Sequence, residues 1–140
     1  MNKLASATGR CLCGAVTFTA TGVDPHFHVC HCGMCRRYSG APTMSVLVDG
    51  VTFQNEAEIL RYKSSDWAER GSCRKCGGSL FYRLTASNQY IVNVGAFDDA
   101  TLFTLGSEIF IDHKPAGYAF AGDHPRETEA EVMAKVGVPT

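Results

Sequence analysis

The chain has 140 residues, 45% of them hydrophobic, and 13 Lys and Arg balance 14 Asp and Glu to a formal net charge of −1. That length predicts one domain over residues 1–140 with a moderate core. The balanced charge gives nucleic acid no basic face to bind, and the apolar runs are too short and broken to span a membrane. Residues 1–10 carry Lys3 and Arg10 but no apolar stretch of the signal-peptide kind, so a reducing cytoplasm is the expected compartment.

In chain order, residues 1–9 read as a loose start. Ala15–Ala20 alternates and is rich in β-branched and aromatic residues, which predicts a strand directly after Cys11-Leu12-Cys13-Gly14. Gly22, Asp24 and Pro25 mark a turn. Phe27–Val29 reads as a short strand delivering Cys30, and Met34–Ser39 as one helical turn with Arg36 and Arg37 exposed. Thr43–Val48 is a strong strand. The Asp49-Gly50 dipeptide and Val51–Gln54 after it predict a hairpin.

Further strands are expected at Glu58–Lys63, Leu80–Leu84, Tyr90–Val94 and Ile109–Ile111, with a turn at Phe97–Ala100 and an irregular segment at Gly117–His124. The only convincing helix runs from about Thr128, its cap, to Val136. Roughly eight short strands and little helix predict a mainly β fold with a short C-terminal helix.

Seven cysteines carry the chemistry: Cys11, Cys13, Cys30, Cys32, Cys35, Cys73 and Cys76. An odd number in a reducing compartment, with two C-x-C spacings too tight for an unstrained bridge, favours metal over disulfides. Cys13 and Cys76 are each followed by glycine, as in a metal knuckle, where the turn aims backbone N–H groups at sulfur. Those two pairs supply four thiolates, enough to close a structural zinc site. Cys30, Cys32 and Cys35 remain. Three thiolates leave a fourth position for water or substrate, unless a histidine or carboxylate closes it. His31 is the nearest candidate, although it sits between two ligands and is expected to point away.

With those motifs the chain resembles the GFA family, the glutathione-dependent formaldehyde-activating enzymes (the CENP-V/GFA domain). The likeness rests on Cys11-x-Cys13-Gly14, Cys30-His31-Cys32-x-x-Cys35-Arg36, Cys73-x-x-Cys76-Gly77, Gly40-Ala41-Pro42, Arg70, Val94–Asp98 and Ile109–Lys114, from about residue 9 to 120. It implies a zinc-binding β-sheet fold of the β-tent type and two zinc ions per chain. One would be structural, on Cys11, Cys13, Cys73 and Cys76. The other would be catalytic, on Cys30, Cys32 and Cys35. The family reaction joins glutathione and formaldehyde into S-(hydroxymethyl)glutathione, a carbon–sulfur lyase activity, with glutathione as the small-molecule partner.

On this reading the open position holds the substrate thiol as thiolate, since a coordinated thiol is deprotonated. His31 is a candidate proton shuttle. Arg36, Arg37 and Arg70 are candidates for holding carboxylates, or else form a solvated positive face. His113 is expected to be exposed. Trp67, Tyr38 and Tyr62 either line a pocket or pack the core. A zinc nucleobase deaminase is excluded, because Ser72 precedes Cys73 and no His-x-Glu occurs. The competing class is a non-catalytic two-zinc module that binds a protein partner.

Overall fold

The computed structural model describes residues 2–136. Ten strands form a continuous β system: β1 (Leu4–Arg10), β2 (Thr17–Val23), β3 (His26–Cys30), β4 (Thr43–Gln54), β5 (Ile59–Lys63), β6 (Ala68–Cys73), β7 (Ser79–Leu84), β8 (Gln89–Asn93), β9 (Thr104–Ile109) and β10 (Arg126–Glu127). Helix α1 (Gly33–Ser39) follows β3, and α2 (Glu129–Val136) follows β10. The main path runs β10-β9-β3-β4-β8-β7-β6-β5, and β2 joins it through β4, carrying β1 on its far edge.

Strand β4 is the hinge of this architecture. Its first half pairs with β3 and β8, as in Ser45 opposite both His28 and Asn93. Its second half pairs with β2, as in Val51 opposite Ala20. The hairpin expected at Asp49-Gly50 does not form. A two-residue hairpin turn requires positive φ, which Gly22 adopts (57°) but Gly50 does not. Gly50 instead pairs with Thr21 and the strand continues.

Period-two alternation sorts the residues of the main sheet onto two faces. Val46, Val92, Phe81 and Gly71 oppose one another across β4, β8, β7 and β6, and face the core. There they meet Val16, Phe18 and Val23 of the β1–β2 side. Phe81 packs edge-on to Tyr90 at 5.0 Å, and Phe18 edge-on to Phe97 at 5.3 Å. The alternate row, Leu47, Ile91, Tyr82 and Arg70, opposes across the same four strands and faces the other way.

Two further expectations need correction. Residues 4–10 are a strand, not a loose start. β1 is poor in β-branched residues and buries little besides Ala7, so its order comes from its register with β2, Leu4 to Val23 through Arg10 to Thr17. The late strand begins earlier and ends sooner than Ile109–Ile111, because Phe110 takes φ 55° and turns the chain into a 3-10 turn at Ile111–His113. Helix α2 begins where expected, with Thr128 and Glu131 forming a reciprocal capping box: the Glu131 N–H donates to Thr128 Oγ1 (3.3 Å), and the Thr128 N–H to Glu131 Oε1 (2.9 Å).

Candidate metal centres and pocket

The turn before β2 and the turn between β6 and β7 bring Cys11, Cys13, Cys73 and Cys76 together. Gly14 (φ 81°) and Gly77 (φ 77°) adopt the left-handed conformation their turns need. The N–H groups of Ala15 and Val16 point at Cys13 and Cys11 (3.4 and 3.3 Å), those of Lys75 and Cys76 at Cys73 (3.3 and 3.4 Å), and that of Gly78 at Cys76 (3.5 Å). Donation of this kind stabilises thiolate, and backbone hydrogen bonds at Cys13 and Gly78 pull Cys76 down to about 6.

The sulfur spacing tests whether a metal fits. Bonds of about 2.3 Å in a tetrahedral zinc site place the sulfurs about 3.8 Å apart. Cys11 and Cys13 are 3.7 Å apart at sulfur, and so are Cys13 and Cys73. No disulfide forms among the seven cysteines. The cage can hold a metal ion and is compatible with zinc.

The second cluster is built where β3 runs into α1. Cys30 ends the strand. Cys32 caps the helix, its sulfur accepting the Cys35 N–H at 3.3 Å, and Cys35 lies in the first turn. All three are buried, and their sulfurs lie within 4.8 Å of one another. Hydrogen bonding with Cys32 and Cys35, together with burial, drives the Cys30 thiol strongly upward. Three such sulfurs coexist as thiolates only around a positive ion, so the donor set fits a metal.

His31 does not join either cluster. Its ring is buried, with Nε2 2.6 Å from Glu108 Oε1 and Nδ1 2.9 Å from the Tyr118 hydroxyl. Glu108 is buried as well. Its other oxygen meets His124 Nε2 at 2.6 Å and Arg126 Nε at 3.0 Å. Burial alone would raise this carboxyl, but the bonds from His124 and His31 hold it below the usual carboxylate range. Sequence reading missed this network. Its one signal was a charged residue directly before the apolar run Ile109-Phe110-Ile111, whereas Tyr118 and His124 lie in an irregular segment.

The arginines divide. Arg37 is exposed, and Arg36, expected to be exposed, is half-buried and donates from Nε to the His31 carbonyl at 3.0 Å. Arg70, on β6, is only 3% exposed and reaches the second cluster, with Nη1 3.7 Å from Cys35 Sγ. Tyr38 packs its ring on that guanidinium and bonds the Gly71 carbonyl. Tyr62 is exposed, Trp67 half-buried, and His113 sits at the surface, paired with Glu129 at 2.8 Å.

Cys30, Cys35 and Arg70 all line a cavity of about 300 Å³ on the face of the sheet opposite the core. Its floor comes from Leu47, Ile91 and Tyr82, and α2 closes one side with Val132. A larger cleft of about 560 Å³ lies beside the four-cysteine cluster, but of the seven cysteines only Cys11 touches it.

The glutathione-dependent formaldehyde-activating enzyme model matches residues 6–113. The chain belongs to the GFA family. It is 33% identical, over 130 residues, to a Schizosaccharomyces pombe protein described as an uncharacterized lyase, a match covering 91% of this chain and 95% of that protein. A crystal structure of a Rhodobacter sphaeroides protein superposes with a TM-score of 0.55 at 21% identity, covering 85% of this chain and 98% of the other. With that likeness and its ten strands and short C-terminal helix, this GFA-family chain has the mainly β, tent-like fold that its cysteine motifs imply.

Proposed function

We propose that this GFA-family chain is a zinc-dependent carbon–sulfur lyase acting on a small thiol adduct, in the manner of glutathione plus formaldehyde giving S-(hydroxymethyl)glutathione. One observation carries the reading: three buried cysteines are left over from a closed four-thiol cage, and two of them open on a cavity. Closed sites suit structure and open ones suit chemistry. Zinc at Cys30, Cys32 and Cys35, when bound, supplies a position that holds a substrate sulfur as thiolate near neutral pH.

The chain's own residues do the rest. The cavity walls hold the thiol and aldehyde together. The carbon–sulfur bond forms between thiol sulfur and carbonyl carbon, and the thiol proton ends on the former carbonyl oxygen. Arg70 places positive charge beside Cys35, which offsets the negative charge of three thiolates. His31 fixes the peptide between Cys30 and Cys32 through Glu108 and Tyr118, and any proton it moves passes through those two groups.

The test is exchange spectroscopy by NMR on S-(hydroxymethyl)glutathione with zinc-loaded protein, subtracting the uncatalysed exchange. We expect faster interconversion of adduct and free thiol. No rate difference at full zinc occupancy would remove the activity.

A further inference from the structure

Arg70 has more hydrogen-bonding capacity than the chain uses. Nη1 is turned toward Cys35, while Nε and Nη2 are buried and meet no partner among the described residues. Its guanidinium lies over the rings of Tyr82 (4.9 Å) and Tyr38 (5.4 Å). A buried cation with unmet donors is costly unless an anion or other acceptor meets it. Glu69 beside it in sequence is engaged with Arg61 and Arg83. Glu127, the carboxylate lining the same cavity, is paired with Lys135.

The remainder of the cavity limits what the ligand can be. Leu47, Leu84, Ile91 and Ile109 make it apolar. Its 300 Å³ lies at the small end of ligand pockets. Arg36 and Arg37 do not line it.

We propose that Arg70 is a carboxylate subsite, and that the thiol taken here carries an acid group that reaches it. This rests on the three-cysteine cluster being the substrate site. The carboxylate accepts from Nε and Nη2, the geometry in which guanidinium grips carboxylate through two parallel bonds. The sulfur then lies toward Cys30 and Cys35 at the other end of a short apolar chain.

Titration calorimetry of the zinc-loaded protein with 3-mercaptopropionate and its neutral amide tests this. The acid is expected to bind about tenfold tighter than the amide, in line with a charged hydrogen-bond pair. Arg70→Met should bind acid and amide alike. Equal affinity of acid and amide for the wild type, or a preference that survives in R70M, overturns the proposal. Should R70M not fold, the wild type decides: an arginine Nε–H resonance should move on addition of propionate, which has no thiol, and its failure to move overturns the subsite. Amide bound as well as acid would sink the subsite and leave the thiol site standing. Propionate bound with no thiol binding would sink the thiol site and leave the subsite standing.

Discussion

Glu108 is the residue on which the corner around the second cluster depends. It sits in β9 opposite Val29, one position before Cys30, and its carboxylate ties His31, His124 and Arg126 together. Glu108→Gln keeps the shape but removes the charge that these donors face. It is expected to cost about 2 kcal/mol, the scale of hydrogen bonds to a charged group, read as a shift in the urea midpoint. The folded carboxyl lies below its unfolded value of 4.5, so its stabilisation is present above about pH 4.5 and is lost as pH falls through the folded value. The wild-type advantage over E108Q should therefore shrink on acidification. An advantage that stays constant or grows would contradict the sign.

The two cysteine clusters should also differ residue by residue. Cys76→Ser opens the cage that pins the β1–β2 turn to the β6–β7 turn, and structural zinc contributes folding energy directly. Its cooperative thermal unfolding should be lost or fall sharply in temperature. Cys32→Ser should lose one zinc while far-UV circular dichroism and most of the melting temperature persist. Equal destabilisation would mean that both clusters are structural.

At the scale of elements, β6 shows why some positions admit no side chain. A Cβ on Gly71 would lie 2.2 Å from Phe81 Cζ, and that ring is held by Phe53 and Tyr90. Gly71→Ala should cost about 1–3 kcal/mol, the range for overpacked cores, measured by chemical denaturation. A neutral result would mean that the Phe81 ring yields freely. Strands whose residues alternate or are strongly β-branched, such as β4, β7 and β8, were legible in sequence because burial on a pleated face imposes that pattern. β1 was not, since Leu4-Ala5-Ser6-Ala7-Thr8-Gly9-Arg10 shows little apolar alternation and is ordered by its neighbour. The Asp49-Gly50 signal misled because a turn dipeptide also fits a long strand that bends between two pairings, with Gly22 taking the positive φ.

For the whole molecule, the cysteine division was legible because metal knuckles are local: a thiol, a glycine and a following strand lie within a few residues. The pocket was not legible, since it gathers Leu47, Tyr82, Ile91 and Arg70 from four strands whose order no local pattern encodes. Nor was Glu108, whose partners lie 77 and 16 residues away. The account as a whole claims one closed and one open metal site in a single sheet system. Native mass spectrometry of the reduced protein with excess 3-mercaptopropionate tests it most directly. It predicts two zinc ions per chain and one bound thiol. One zinc per chain, or two zincs that take up no thiol, would contradict it.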